Sequence, residues 1–294
     1  MSEKLELKKL RAFGEIINDT FLFIKENFRP LLKVFVYLCG FFILAGMIAA
    51  IMQQLETKAF VNGISKMGAS AWRTNLSQIF TFNYLLVVIF SICSSAAILV
   101  STLSFIALYI QKGNVAPTPD EVWSYFKYYY FRVFFSNIFT LLIVIVGFMF
   151  CLVPGIYLFP AMSLLFPIMV LENANFQYSF ERSFKLLKNQ WWVTAGSIFI
   201  LWVIAYACMT FASVPAAVLT MAGTFLPGLE GWSQAMIVVG TIIQYLSYVF
   251  LMIPVIGVSL CFFNLVEIQE STGLMDRINH FGEEKDNSQG LEEY

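Results

Sequence analysis

Charge is what this chain lacks. Aspartate, glutamate, lysine and arginine make up 13% of its 294 residues, about half the share of a soluble domain. Hydrophobic residues fill the space, at 59% against about 45 to 50% in soluble proteins. Histidine occurs once, at His280, and the five cysteines (Cys39, Cys93, Cys151, Cys208, Cys261) stand far apart with no CxxC pair. That pattern suggests neither a zinc site nor a disulfide framework, and the cysteines read as small lipid-facing or packing residues within apolar runs. The opening "MSEKLELKKLRAFGEIINDTF" lacks the short apolar core and small-residue cleavage site of a secretory leader. The first apolar run is therefore expected to serve as its own insertion signal.

What is present is a series of apolar runs. A transmembrane helix needs roughly 20 mainly apolar residues to cross about 30 Å of hydrocarbon. The runs 31–52, 83–110, 133–153, 192–217 and 235–263 qualify, and 156–171 follows "VPG", where Pro154 and Gly155 are expected to form a tight turn. Beyond Lys33 at the mouth of the first run, none of the six contains a charged residue.

Between the runs lie charged segments with helical periodicity. In "LENANFQYSFERSFKLLKNQWW", Phe176, Phe180, Phe184, Leu187 and Trp191 recur at steps of three and four. Gln177, Glu181, Arg182, Lys185 and Lys188 fall opposite, which predicts an amphipathic helix in the membrane interface, capped by Asn175. "TPDEVWSYFKYYYFRVF" begins with Thr118, Pro119 and Glu121, the spacing of a capping box, and "LRAFGEIINDTFLFIKENFRPLL" is a third such segment. "TFLFIKENF" matches "SFKLLKNQW" without gaps at an offset of 163. The predicted fold is an all-α integral membrane protein with six transmembrane helices in three hairpins, each preceded by a cytoplasmic interfacial amphipathic helix. It forms one domain, 1–267, with repeat units 1–112, 117–172 and 173–267, followed by a short acidic cytoplasmic tail, 268–294, expected to be disordered.

Orientation follows from lysine and arginine. With six spans, one side carries fifteen basic residues and the other only Lys58, Lys66 and Arg73. The positive-inside rule places the fifteen, and both termini, in the cytoplasm. On the outer side, 53–82 has room for a further amphipathic helix around "AFVNGISKMG", and "TMAGTFLPGLEGWSQ" is an apolar, glycine-rich loop.

A hydrolase or transferase needs paired carboxylates, a nucleophile with its base, or metal ligands. The runs offer none, so no catalytic residue, metal or cofactor is expected. Ser91, Ser94, Ser95, Ser101 and Ser104 read as small residues that permit close helix packing. Asn83, Asn137, Gln244 and Asn264 read as interhelical hydrogen-bonding groups. Pro254 with Gly257 should kink the sixth span, and Pro215 should loosen the end of the fifth. Two candidate sites remain. Arg182, Lys185 and Lys188 are expected to contact anionic lipid headgroups. Glu172, the one acid at the end of a span, either pairs with Arg182 structurally or takes part with it in transport.

The stretch from Val153 to Trp192 also resembles a bacterial membrane-domain family best known as the membrane part of some glycerophosphodiester phosphodiesterases. The matching positions are Val153 to Tyr157, Pro167, Glu172, Arg182, Ser183, Leu186, Lys188, Trp191 and Trp192. "LRAFGEIINDTFLFIKENFRPLL" and "NLVEIQESTGLMDRI" resemble that family's two ends. The resemblance implies a stand-alone polytopic protein of the bacterial inner membrane without assigned activity, the hydrolase domain being absent. The expected function is that of a non-enzymatic scaffold or lipid-interacting accessory protein. The alternative is a small transporter or lipid-handling protein with a groove near Glu172 and Arg182. Membrane lipids, and other membrane proteins, are the expected partners; nucleic acid is not. Cysteine labelling should find Lys127, Lys185 and both termini on the cytoplasmic side and Lys58 outside; a terminus found outside would require an odd number of crossings.

Overall fold

A computed structural model describes residues 5–67, 81–150, 152–225 and 232–270. Its elements are α1 (Phe13–Met67), α2 (Phe82–Gln111), α3 (Pro119–Phe150), α4 (Leu152–Leu171), α5 (Phe176–Leu187), α6 (Trp191–Phe225), α7 (Ser233–Leu246), a 3-10 segment (Ser247–Leu251) and α8 (Met252–Glu270). No strand occurs among the described residues. Six stretches are long and apolar enough to cross a membrane: α1, α2, α3, α4, α6, and α7 with α8 taken together. Such stretches fold as helices because hydrocarbon offers a backbone no hydrogen-bonding partner, and a helix satisfies its own.

α1 packs on α2, α2 on α3, α3 on α4, α4 on α5 and α6 on α7, and α8 lies in the middle, touching α1, α2, α4, α5 and α6. From Ile256 to Leu265 every residue of α8 is buried, as is nearly all of α2 from Ala96 to Tyr109. By contrast α3 and α6 form an outer ring, with Phe131, Phe139, Met149, Phe199 and Phe211 exposed. A large apolar surface of this kind fits lipid and not water.

Several local expectations meet their structural outcome here. Thr118 opens α3, with its N–H donating to Glu121 Oε2 at 2.7 Å, and Asn175 Oδ1 caps α5 by accepting from the Tyr178 N–H at 2.9 Å. Asn83 bonds to Glu56 on α1, Asn137 Nδ2 donates to Ser95 Oγ at 3.2 Å between α3 and α2, and Asn264 accepts from the Arg11 backbone. Other elements differ from the sequence reading. Pro154 and Gly155 lie inside the first turn of α4 and not in a separate turn; the first turn tolerates proline because its N–H needs no helical partner. Gly155 instead lets α4 approach α3, since a Cβ there would stand 2.6 Å from the Phe148 ring. As expected of Pro254, which cannot donate to the Phe250 carbonyl, the sixth span breaks, at the 3-10 segment just ahead of it. Gly257 serves packing, because a Cβ there would collide with Leu201 Cδ1 of α6. Pro215 sits within α6, which runs on to Phe225.

At the N-terminal side α1 is two helical pieces joined at Asn27, whose φ of −110° and ψ of 15° are non-helical. Pro30 explains the break, as it lacks the N–H that would bond to Glu26. Helix also continues beyond the first span to Met67, covering most of "AFVNGISKMG" as an extension of α1. The centre of "TMAGTFLPGLEGWSQ" and the tail from 271 onward lie outside the described residues.

The 163-residue offset recurs in the element boundaries. Phe13 and Phe176 both open short helices, and Phe28 and Trp191 both follow a helix break, at Asn27 and at Lys188 to Gln190 respectively.

Gly240 tests the closeness of the α6–α7 contact. A Cβ at this position would stand 2.8 Å from the Ala216 carbonyl oxygen, a backbone atom that cannot move aside, whereas a Cβ at Gly40 meets nothing within 4 Å. Gly240→Ala should therefore cost about 1 to 3 kcal/mol. Gly40→Ala should be neutral or stabilise by about 0.5 to 1 kcal/mol through helix propensity. Thermal unfolding of both variants in one detergent decides the matter.

Candidate functional site: the polar end of the bundle

Polar side chains collect where α4 ends, α5 begins and α8 ends. The apolar helices exclude charge from their middles, so their ends hold what charge the fold has.

Arg182 is the centre of one cluster. Its Nε and Nη2 donate to Glu172 Oε1 at 3.4 and 3.2 Å, and Nη2 also pairs with Glu270 at the end of α8. The arginine side chain is 12% exposed, against 23% for Glu172 and 38% for Glu270. Burial works against the guanidinium charge, yet the hydrogen bond to Glu270 and the proximity of Glu172 hold its pKa above the ordinary value. Next to it, Gln269 Nε2 donates to the carbonyls of Lys185 and Leu186 at 3.0 Å each. These carbonyls lie in the last turn of α5, where helical donors run out; that of Lys185 also accepts from the Lys188 N–H at 3.3 Å, and Gln269 adds a donor to both from another helix.

The faces of α5 are not divided as the sequence periodicity suggests. Its buried residues are Ser179, Ser183, Leu186 and Leu187. Phe176, Phe180 and Phe184 form a half-buried flank beside them, with Phe176 near Phe139 and Phe184 near Tyr157. Gln177, Glu181, Lys185 and Lys188 are exposed, and Arg182 lies on the other flank of the buried face, over the carboxylates. Arg182 is thus parted from Lys185 and Lys188, with which the sequence grouped it. Two small serines, Ser179 and Ser183, stand at the centre of the packed face.

The course of α5 also matters. While Arg182 reaches Glu172 at the end of α4, Trp191 stacks on Tyr157 with ring centroids 5.7 Å apart and donates from Nε1 to its carbonyl at 3.2 Å. Tyr157 is about 20 Å of helix away from Glu172. The short helix therefore folds back along the flank of α4 and does not cross its end.

A second cluster was not anticipated from the sequence. Arg11, with its side chain fully buried, bonds from Nε to Asp19 Oδ2 at 2.9 Å and from Nη1 to the carbonyls of Leu7 and Lys9 at 2.7 and 3.2 Å; Nη2 reaches the carbonyl of Glu6. Lys9 joins Asp19 at 3.0 Å, and the Arg11 N–H donates to Asn264 Oδ1 at 2.8 Å. The segment before α1 is thereby tied onto α8, with Leu5 and Leu7 buried beneath. Asn264, Glu267 and Glu270 recur every third residue at the end of an otherwise apolar helix, and that spacing was the signal available for the cluster. Arg11, Lys9 and Asp19 lie close together in sequence, but Asn264 is 253 positions from Arg11, and no local pattern joins them. Among the described residues no group of three histidine, cysteine or acidic side chains could hold a metal ion.

The shared arginine sets an order of effects. Arg182→Gln strands two carboxylates, whereas Glu172→Gln or Glu270→Gln leaves the arginine one partner. The first change should cost about 1 to 2 kcal/mol and each of the others less, because these groups are partly exposed. Arg11→Gln should cost about 3 kcal/mol, since it removes one member of a buried pair. Thermal unfolding in detergent gives the order, and a larger loss for Glu172→Gln than for Arg182→Gln would refute the shared-arginine arrangement. Compared with protein-family models, curated proteins and solved structures, the chain finds no match.

Proposed function

We propose that the chain is a non-enzymatic, lipid-interacting scaffold of the bacterial cytoplasmic membrane, multi-pass, with both termini in the cytoplasm. In this reading the six spans form three hairpins, each led in by an amphipathic helix at the cytoplasmic interface. The observation that carries it is the three-sided surface of α5. One face packs on the protein through Ser179, Ser183 and Leu186, one flank offers Phe176, Phe180 and Phe184, and the exposed face offers Lys185 and Lys188. Aromatic rings at acyl depth with lysines at headgroup level are what an interfacial helix requires.

Because α5 lies along α4, this placement requires α4 to lean away from the membrane normal. An upright α4 would carry Lys185 and Lys188 toward the hydrocarbon, which is costly for charged groups. A lean brings the flank bearing α5 up to the headgroups, and the long lysine stems make up the remaining distance. A transport role built on Glu172 has less support, as that carboxylate and Glu270 beside it are both engaged by Arg182.

Arg182 is engaged in ion pairs, so headgroup attraction falls to Lys185 and Lys188. Changing both to Gln in the full chain should lower the anionic lipid retained on purification by about fivefold per residue, corresponding to about 1 kcal/mol each, with unfolding temperature unchanged. Retention equal to that of the parent protein would overturn the reading and point to a protein partner on this face.

A further inference from the structure

Between α2, α3, α4, α6 and α8 lies a cavity of about 190 Å³. Most of its wall is apolar, but Ser95, Asn137 and Ser163 also line it. Asn137 spends one N–H on Ser95 Oγ, whose own proton goes to the Ile92 carbonyl at 2.9 Å. Pro167, also in the wall, can give no backbone hydrogen bond to the Ser163 carbonyl one turn back. The cavity therefore holds hydrogen-bonding capacity at mid-height of the bundle, where no charged side chain lines it.

A second hollow of about 660 Å³ runs along the outside, walled by Phe148, Ile156, Phe159, Phe199, Val203 and Tyr206. Most of these side chains belong to the apolar outer surface that faces lipid. Trp202 lines both hollows. Its ring stacks on Tyr206 at 5.5 Å, and its Nε1, although buried, has no hydrogen-bond partner. A buried indole N–H without an acceptor is unfavourable, and the residue that carries it stands between a lipid-facing groove and a polar pocket.

We infer that the groove between α4 and α6, the Trp202 indole and the cavity behind it form a lateral binding site for a neutral membrane lipid: one apolar chain bearing an uncharged hydroxyl or ester group. The chain lies in the aromatic groove. The polar group passes Trp202 into the cavity, whose volume suits about six water-sized groups. There Asn137 can both donate to and accept from a hydroxyl, and the indole N–H gains an acceptor. A carboxylate or phosphate is disfavoured, because neither hollow is lined by a cation to neutralise it. This site deepens the lipid-interacting reading above but uses none of its lysines.

The test uses the full chain in nanodiscs and a monoacylglycerol carrying a photoreactive diazirine in its acyl chain. Crosslinks should map to the peptides around Ile156 to Phe159 and Phe199 to Tyr206. Excess monoacylglycerol should compete at least tenfold better than the fatty acid of the same length at pH 9. Asn137→Leu should abolish that preference, and Trp202→Phe, which keeps the ring and removes the N–H, should reduce labelling several-fold. If Asn137→Leu misfolds, Trp202→Phe alone carries the test. Labelling spread evenly over the outer faces of α3 and α6, or a preference unchanged in the variants, would overturn the site. The Lys185→Gln, Lys188→Gln double variant should label like the parent chain. Loss of the lysine effect with retained labelling would thus sink the interfacial reading alone, and the converse result would sink only this site.

Discussion

The constraint on which this structure depends is the cost of an unpaired polar group in hydrocarbon. It forces the apolar runs into helices, clears charge from their middles, and concentrates polar chemistry at their ends. The same cost explains why the charges that do lie close to the bundle are paired. Arg11 and Arg182 are among the least exposed basic side chains here, and each is surrounded by oxygen acceptors.

Both arginines converge on the last turns of α8. Asn264 receives the segment before α1, and Gln269 and Glu270 receive α5. Since α8 is also the most buried span, its end couples the packing of the core to the placement of the two short helices. Disturbing that end is felt at both, whereas the outer helices α3 and α6 depend mainly on their contacts with neighbours.

Prolines shape the interior in a complementary way. Pro30 breaks α1, Pro254 follows a 3-10 segment, and Pro167 lines the central cavity. Each removes one backbone donor, and around the last two the helices leave space that small polar residues border. A bundle packed only by regular helices would have closed that space; this one retains it next to a lipid-facing groove.

The helical class, the six apolar stretches and the capping of α3 and α5 were legible in the sequence, because they rest on local composition and on contacts within a few residues. The pairing of Glu172 with Arg182 was also open to reading as one of two alternatives, ten positions apart in one short segment. What the sequence could not determine was which face of α5 is buried. Its aromatic stripe is the stronger periodic signal, but Ser179, Ser183 and Leu186 are the more deeply buried. Nor could it bring Glu270 to Arg182, Asn264 to Arg11, or Trp202 between two hollows. Those contacts join residues far apart in the chain, and only the tertiary fold decides which helix ends share a corner and which side chains border the gaps between helices.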